Sequence, residues 1–264
     1  MKVAIIGAGN MGGAIARGMA TGSIVKAEEI TVTAKTQATL DKLKADMPAI
    51  NVCLNNREAA EGASIIMLCV KPWLIQPVIE EIYPAINQSN PLIISVAAGI
   101  TFEQFQQMMG GDNRPIARVI PNTAIAIKES PTLMCFNEAM NEAQKQLVEA
   151  IFNELGSSII TDEGHMAAGT AITSCGIAYA FAYIRAAIQA GIELGFYPHV
   201  AKSMVDQTVL GAVKLLEHNG SMPDAEIYKV CTPGGITIRG LNEMTKEGFD
   251  HAVIAGLKKA AGKQ

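Results

Sequence analysis

A β-rich run, KVAIIG, leads straight into Gly7-Ala8-Gly9-Asn10-Met11-Gly12. Nothing else in the chain restricts its fold so strongly. A GxGxxG spacing after a strand and before a helix asks three different things of glycine. Gly7 makes the tight turn, Gly9 lets the backbone approach a pyrophosphate, and Gly12 lets helix and strand pack closely. The helix N-terminus then turns free N–H groups toward phosphate oxygens. The reading is a dinucleotide site on a βαβ unit. The plain alternative is an ordinary glycine-rich turn.

The first 160 residues continue in that style. EITVTA, SIIMLCV, PLIISVA and PIARVI are short strand-like runs separated by segments of helical spacing. Such alternation predicts a parallel sheet with helices on both faces. SIIMLCV and PLIISVA are almost unbroken apolar runs, as strands covered on both faces are. TLMCFN and SSIITD read as two more strands, with an amphipathic helix, NEAQKQLVEAIFNELG, between them and ending at Gly156. After residue 162 strand signals stop. A long apolar helix is expected over 165–194, another over 198–218 starting at Pro198, a short one after Pro223, and one or two more to the end. The fold class is α/β: an N-terminal Rossmann-type parallel-sheet domain at 1–162, then an all-α C-terminal domain at 163–264.

Residues 166–184, MAAGTAITSCGIAYAFAYI, carry no charge and are long enough to span a bilayer. Their glycines, alanines and three hydroxyl residues (Thr170, Thr173, Ser174) make a poor lipid-facing surface. The expectation is a helix buried among other helices and no membrane partner. Net charge is −4, so no basic field invites nucleic acid. The five cysteines (Cys53, Cys69, Cys135, Cys175, Cys231) are scattered, with no CxxC or Cys/His cluster. That argues for reduced core thiols, no metal, and a cytoplasmic setting. MKVAIIGAGN turns into a glycine loop where a signal peptide would have a cleavage site.

The tip of the second strand reads Thr33-Ala34-Lys35-Thr36, with no acid before Asp41. An NAD site places Asp or Glu there for the ribose 2′-hydroxyl. Lysine and hydroxyls suit a 2′-phosphate, so NADP is favoured, with NADPH preferred and NADH allowed. A solvated surface lysine is the alternative. Sheets of this type bind ligands outside the carboxyl ends of their strands. The backbone at Val70 and Lys71, stopped by Pro72, is therefore expected to face the cofactor. Ser95-Val96-Ala97-Ala98-Gly99 leaves room for a flat ring. Asn122 and Thr123 are candidates to bind a carboxamide or line the cleft; a turn cap is the other reading. The cofactor set is Gly7, Gly9, Asn10, Met11, Gly12, Lys35, Thr36, Asn56, Val70, Lys71, Pro72, Ala97 and Asn122.

With these pieces in order, the chain resembles the pyrroline-5-carboxylate reductases along essentially its whole length. The resemblance rests on GAGNMGGAIARG, VKP, SVAAGI, R-x-x-PNT, Gln207-Thr208-x-x-Gly211-Ala212 and VCTPGGITIRGL. The last is the most specific. It implies that backbone N–H groups and a threonine meet the substrate, at Gly234, Gly235, Ile236 and Thr237, with Thr237 the catalytic candidate for orienting the ring nitrogen or relaying a proton. A Pro-Gly-Gly turn opening a helix is also, by its own chemistry, a small anion nest. Arg239 is taken as a solvated helix residue. Departures fall on the substrate side. Cys175 and Ile177 stand where the family carries serine and proline, Ala124 replaces the proline after PNT, and Met222 precedes Pro223 where histidine is common.

The resemblance implies NADPH-dependent reduction of L-1-pyrroline-5-carboxylate to L-proline by hydride transfer to C=N. A reductase of another cyclic imino acid, or a non-enzymatic NADP-binding protein of the same fold, are the alternatives. It also implies an intertwined homodimer, extendable to a larger ring. β-Hydroxyacid dehydrogenases share the two-part plan but use a lysine on the long helix. No lysine lies between Lys145 and Lys202 here, and His165 is expected to be a surface or capping residue.

Overall fold

A computed structural model describes residues 1–262. The chain divides into two compact units, Met1–Ser174 and Cys175–Gln264. The first unit is built on eight strands: β1 (Val3–Ile6), β2 (Ile30–Thr33), β3 (Asn51–Cys53), β4 (Ile65–Leu68), β5 (Leu92–Ser95), β6 (Ile116–Ile120), β7 (Ser130–Phe136) and β8 (Gly156–Ile160). Their order in the sheet is β3-β2-β1-β4-β5-β6-β7-β8. Strand order reverses at β1, the point where a doubly wound sheet opens a crevice.

Successive side chains on a strand point to opposite faces. Val3 and Ile5 therefore enter one core and Ala4 and Ile6 the other. The first core takes Ile15 and Met19 of helix α1 (Asn10–Ala20). It also takes Val148, Ile151 and Phe152 of a helix spanning Glu142–Asn153. The opposite face is covered by the helix Ile75–Ser89, which presents Ile75, Val78, Ile79, Ile82 and Ile86 at helical spacing. Each such aliphatic contributes about 2 kcal/mol of burial.

Three details differ from the expected all-parallel sheet. β7 is antiparallel to β6, while β7 and β8 are parallel. The link from Pro121 to Glu129 holds only the 3-10 turn Thr123–Ile127, too short for the crossover of about a dozen residues a parallel pair needs. β3 is an edge strand of three residues, two of them polar or small, with no apolar run to announce it. Gly156 does not end the preceding helix, whose C-cap is Glu154; it opens β8.

The first compact unit extends past the last strand to Ser174. Residues 163–174 pack on the sheet. Met166 is buried with Ile120, Leu133 and Cys135, and a Cβ on Gly169 would lie 2.4 Å from Leu133 Cδ2. The long apolar segment is not one regular helix. It runs as α2 (Met166–Thr170), a π-helical turn (Ala171–Cys175) and α3 (Gly176–Glu193).

The second unit comprises the rest of that segment and four further helices: Pro198–Asn219, Pro223–Val230, α4 (Ile236–Lys246) and Phe249–Ala260. Here the expectation of a helix buried among others fails within one chain. The stretch Glu163–Glu193 is apolar and long enough to cross a membrane, yet only 6% of its most apolar window is buried. α3, α4 and the helices Pro223–Val230 and Phe249–Ala260 have no buried residue, and Pro198–Asn219 has only Ala201. Phe181, Leu215 and Ile254 are each more than half exposed. A helical unit with so little core of its own is completed by another surface.

Gly156 is the residue on which the β7–β8 pairing turns. Its φ is +141°, and a Cβ there would lie 2.2 Å from Ser130 O and 2.5 Å from Ser130 N. Both contacts are to backbone and cannot give way cheaply. Gly156→Ala is expected to lose about 3 kcal/mol or more, measured by urea unfolding.

Candidate cofactor cleft and glycine loop

The glycine turn is held from both sides. Gly7 takes φ +105°, and a Cβ there would lie 2.8 Å from Cys69 O. Ala8 N–H donates to Thr33 O (2.6 Å) and Gly7 N–H to Thr33 Oγ1 (3.2 Å). α1 begins at Asn10 on Gly9, with no side-chain cap and no acid in its first turn. Its first N–H groups are therefore left for a ligand. Gly9 and Gly12 have different tasks. A Cβ on Gly9 meets nothing within 4 Å, whereas one on Gly12 would lie 1.9 Å from Gly7 O and 2.8 Å from Cys69 Cβ. Gly9 is the open cradle and Gly12 the packing glycine.

A cleft of ≈ 660 Å³ opens above this turn along the carboxyl ends of the strands. Gly7, Gly9, Asn10, Met11, Lys35, Val70, Lys71, Pro72 and Ala97 of the expected set line it. Cys69 lines it too. Its sulfur is enclosed although the residue is partly exposed, and burial pushes the thiol up to about 12. It is a neutral wall, not a nucleophile.

Four expected cofactor residues do not line the cleft. Gly12 lies beneath the turn, as its contacts require. Thr36 is exposed, and its Oγ1 is 2.9 Å from Thr39 Oγ1. Asn56 Oδ1 accepts from Thr33 Oγ1 (2.6 Å), and its Nδ2 donates to Glu81 Oε2 (2.8 Å). Asn56 thus braces the strand tip whose hydroxyl receives Gly7 N–H. Asn122 is 5% exposed, with both amide ends engaged inside the protein; its neighbours Pro121 and Thr123 reach the cleft instead. Sequence reasoning missed Thr39, Thr170 and Ser174 as lining residues. The hydroxyls of the uncharged helix were a usable signal for the last two; nothing marked Thr39.

In the second unit, Gly235 N–H donates to Thr232 O (2.9 Å) across Pro233-Gly234, and Gly234 has φ +69°. This is a turn with proline second and a left-handed glycine third. Gly235 is the N-cap of α4 and offers no side-chain cap. The N–H groups of Ile236 and Thr237 therefore stand at a free helix N-terminus, and Ile236 is 82% exposed. Arg239 Nε reaches back to Gly235 O (3.3 Å) on the exposed surface. His165 is exposed and pairs with Asp162, Nδ1 to Oδ2 at 2.6 Å, at a helix start. Among the described residues no group of three metal-ligating side chains occurs.

A switch-point sheet, a glycine cradle and an open cleft along the strand ends define a Rossmann-type dinucleotide oxidoreductase joined to a helical unit. Comparison with known proteins agrees. Residues 2–99 match a family described as NADP oxidoreductase, coenzyme F420-dependent. Residues 163–264 match pyrroline-5-carboxylate reductase dimerisation. Pyrroline-5-carboxylate reductase 2 of Dictyostelium discoideum is 34% identical over 99% of this chain and 91% of its own length. Pyrroline-5-carboxylate reductase 1 of the same organism is 35% identical over 99% of this chain, which spans about half (49%) of that longer relative. A Plasmodium falciparum pyrroline carboxylate reductase, solved with NADP bound, superposes with TM-score 0.89 at 30% identity, covering 99% of this chain and 96% of that one. The chain belongs to the pyrroline-5-carboxylate reductase family.

The two glycines separate under mutation. Gly9→Ala is expected to keep stability within about 1 kcal/mol while weakening nucleotide binding at least tenfold by calorimetry. Gly12→Ala is expected to cost about 2–4 kcal/mol of stability, because the clash is with backbone.

Proposed function

We propose that this protein reduces L-1-pyrroline-5-carboxylate to L-proline with NADPH. The observation that carries the reading is one chain holding both an uncapped glycine cradle and a Thr-Pro-Gly-Gly-Ile-Thr turn that opens a helix. The first suits a pyrophosphate and the second a small carboxylate. When bound, the reduced nicotinamide supplies the hydride.

The residues fit that group. Gly9 leaves open space where a pyrophosphate needs close backbone approach. Ala97 and Ala98 keep the cleft wall low enough for a flat ring. Lys35 lines the cleft at a strand tip without an acid, which favours a 2′-phosphate. Thr36, Asn56 and Gly12 support this end from outside the cleft.

The substrate brings a carboxylate and a C=N bond. In this reading Gly234, Gly235, Ile236 and Thr237 form the carboxylate nest, helped by the dipole of α4. Thr237 orients the ring nitrogen or its water. Hydride adds to the imine carbon and one proton to nitrogen, so the ring ends as a secondary amine. Such a reaction needs mostly alignment and exclusion of water, because the protonated imine is already electrophilic. The absence of a lysine from 146 to 201 accords with that modest demand on acid–base groups.

Cys175 and Ile177, beside the cleft-lining Ser174, favour one second reading: a related cyclic imino acid of different ring size. We further infer that the helical units pair in a homodimer, since each alone buries almost none of its apolar surface. A larger ring of dimers is the finer version of that inference. The five unbridged cysteines accord with a reducing compartment such as the cytoplasm.

NADPH oxidation is expected with pyrroline-5-carboxylate, and at least tenfold less with the six-membered piperideine carboxylate. Faster turnover of the larger ring would establish the second reading, and nucleotide binding without turnover on either would remove the enzyme assignment. Lys35→Asp should lower kcat/KM for NADPH about tenfold or more while leaving NADH nearly unchanged. Thr237→Val should reduce kcat about 10- to 100-fold. Sedimentation at micromolar protein should show dimer or larger; a lone monomer would overturn the pairing.

A further inference from the structure

Asn122 is one of the four expected cofactor residues that do not line the cleft. Its side chain is buried, and each atom has a partner. Oδ1 accepts from Ala124 N–H at 2.9 Å. That bond fixes which end of the amide is oxygen, so Nδ2 must be the end that meets Thr173 O at 3.1 Å. Its backbone N–H donates to Ser130 Oγ (2.9 Å), and Ser130 is wholly buried. A second bond runs the other way across the same seam, from Ser174 Oγ to Pro121 O at 3.2 Å.

Thr173 and Ser174 belong to the π-helical turn Ala171–Cys175. A π-turn is rare and is kept where something outside the helix holds it. No proline enforces it here, since residue 177 is Ile. Within the segment Thr173 Oγ1 donates back to Gly169 O (2.9 Å); from outside it, the turn is held by the pair of hydrogen bonds to Pro121 and Asn122. The geometry matters to the cleft. Pro121 and Thr123 line it from one side of the seam, Thr170 and Ser174 from the other, and Asn122 itself does not.

We propose that Asn122 is a positioning residue: it clamps the π-turn to the Pro121–Thr123 loop and so sets the wall of the cofactor cleft. Its effect on turnover rests on the reductase reading above. A wall displaced by even an ångström misaligns hydride donor and acceptor, which costs about a hundredfold in rate.

The test uses two substitutions in the full-length protein. Asn122→Asp keeps an oxygen for Ala124 N–H but faces a carboxylate to Thr173 O. Burial and the facing carbonyl raise that carboxyl's pKa, and once protonated it donates as the amide did. Asn122→Ala cannot do so at any pH. For Asn122→Asp we expect kcat at pH 8 to fall about 10- to 100-fold, with the NADPH Kd within about threefold of wild type. The kcat ratio to wild type should then climb toward one as pH falls to about 5.5. Asn122→Ala should lose as much kcat and show no recovery.

Wild-type turnover by Asn122→Asp at pH 8 would overturn the proposal. So would loss of NADPH affinity in step with kcat, which would make Asn122 a direct ligand. Equal loss in both variants at every pH would leave only a structural role, and also overturn it. Hydrogen exchange covers the case in which Asn122→Asp does not fold or wild type reduces no imine. In Asn122→Ala, amides of residues 169–174 should exchange at least tenfold faster while those of Val3–Ala20 keep wild-type rates. Unchanged exchange in 169–174 would sink the clamp independently of activity.

Discussion

The structure of the first unit depends on one place where backbone meets backbone with no room between. Gly12 lies so close to Gly7 O that a single methyl group would overlap it, and the same methyl would press on Cys69. Three elements converge there: the end of β1, the start of α1 and the end of β4. If α1 stood further off, its N-terminus would leave the turn, and the cleft would lose the N–H groups that face a pyrophosphate. The requirement then spreads. Thr33 accepts Gly7 N–H through its hydroxyl and Ala8 N–H through its carbonyl. Asn56 accepts from Thr33, and Glu81 accepts from Asn56. A chain of hydrogen bonds thus runs from a surface helix to the glycine turn, and each member limits the freedom of the next.

The second unit is governed by the opposite condition, a lack of contact. Its helices are fully formed, yet Phe181, Leu215, Ile254 and Ile236 remain exposed. Leaving this much apolar surface in water opposes folding of the unit alone. The chain is therefore a nucleotide-binding unit with two buried cores of its own joined to helices whose core must come from elsewhere, which is what a match to a dimerisation family describes.

How much of this was legible follows from which residues obey a local rule. SIIMLCV and PLIISVA announced β4 and β5 because both faces of those strands are covered, so nearly every position is apolar. Asn51–Cys53 was silent because an edge strand of three residues has no period to read. The antiparallel turn into β7 depends on the length of the Pro121–Glu129 link, which composition does not reveal. Nine of thirteen expected cofactor residues line the cleft, since loops after parallel strands must lie at the carboxyl edge. Asn56 and Asn122 lie outside the lining for a shared reason. A polar residue at that edge can face the ligand or brace the loop that does, and only the partners of its two amide ends decide between them.

That choice is bound up with the chemistry. An imine reductase needs few charged groups at its reacting centre, so polar side chains near the cleft are free to act on the backbone instead. Thr33, Asn56 and Asn122 all do this: each spends its hydrogen bonds on main chain or on another brace. The surfaces left to face ligand are then backbone amides, alanines, Pro72, Pro121 and short hydroxyls, with Lys35 and Lys71 as the charged side chains. Apart from those two lysines, such a wall carries no charge to desolvate when a flat ring enters. Alignment in this site therefore comes from how firmly the backbone is held, and the residues that matter most to it include several that touch no ligand.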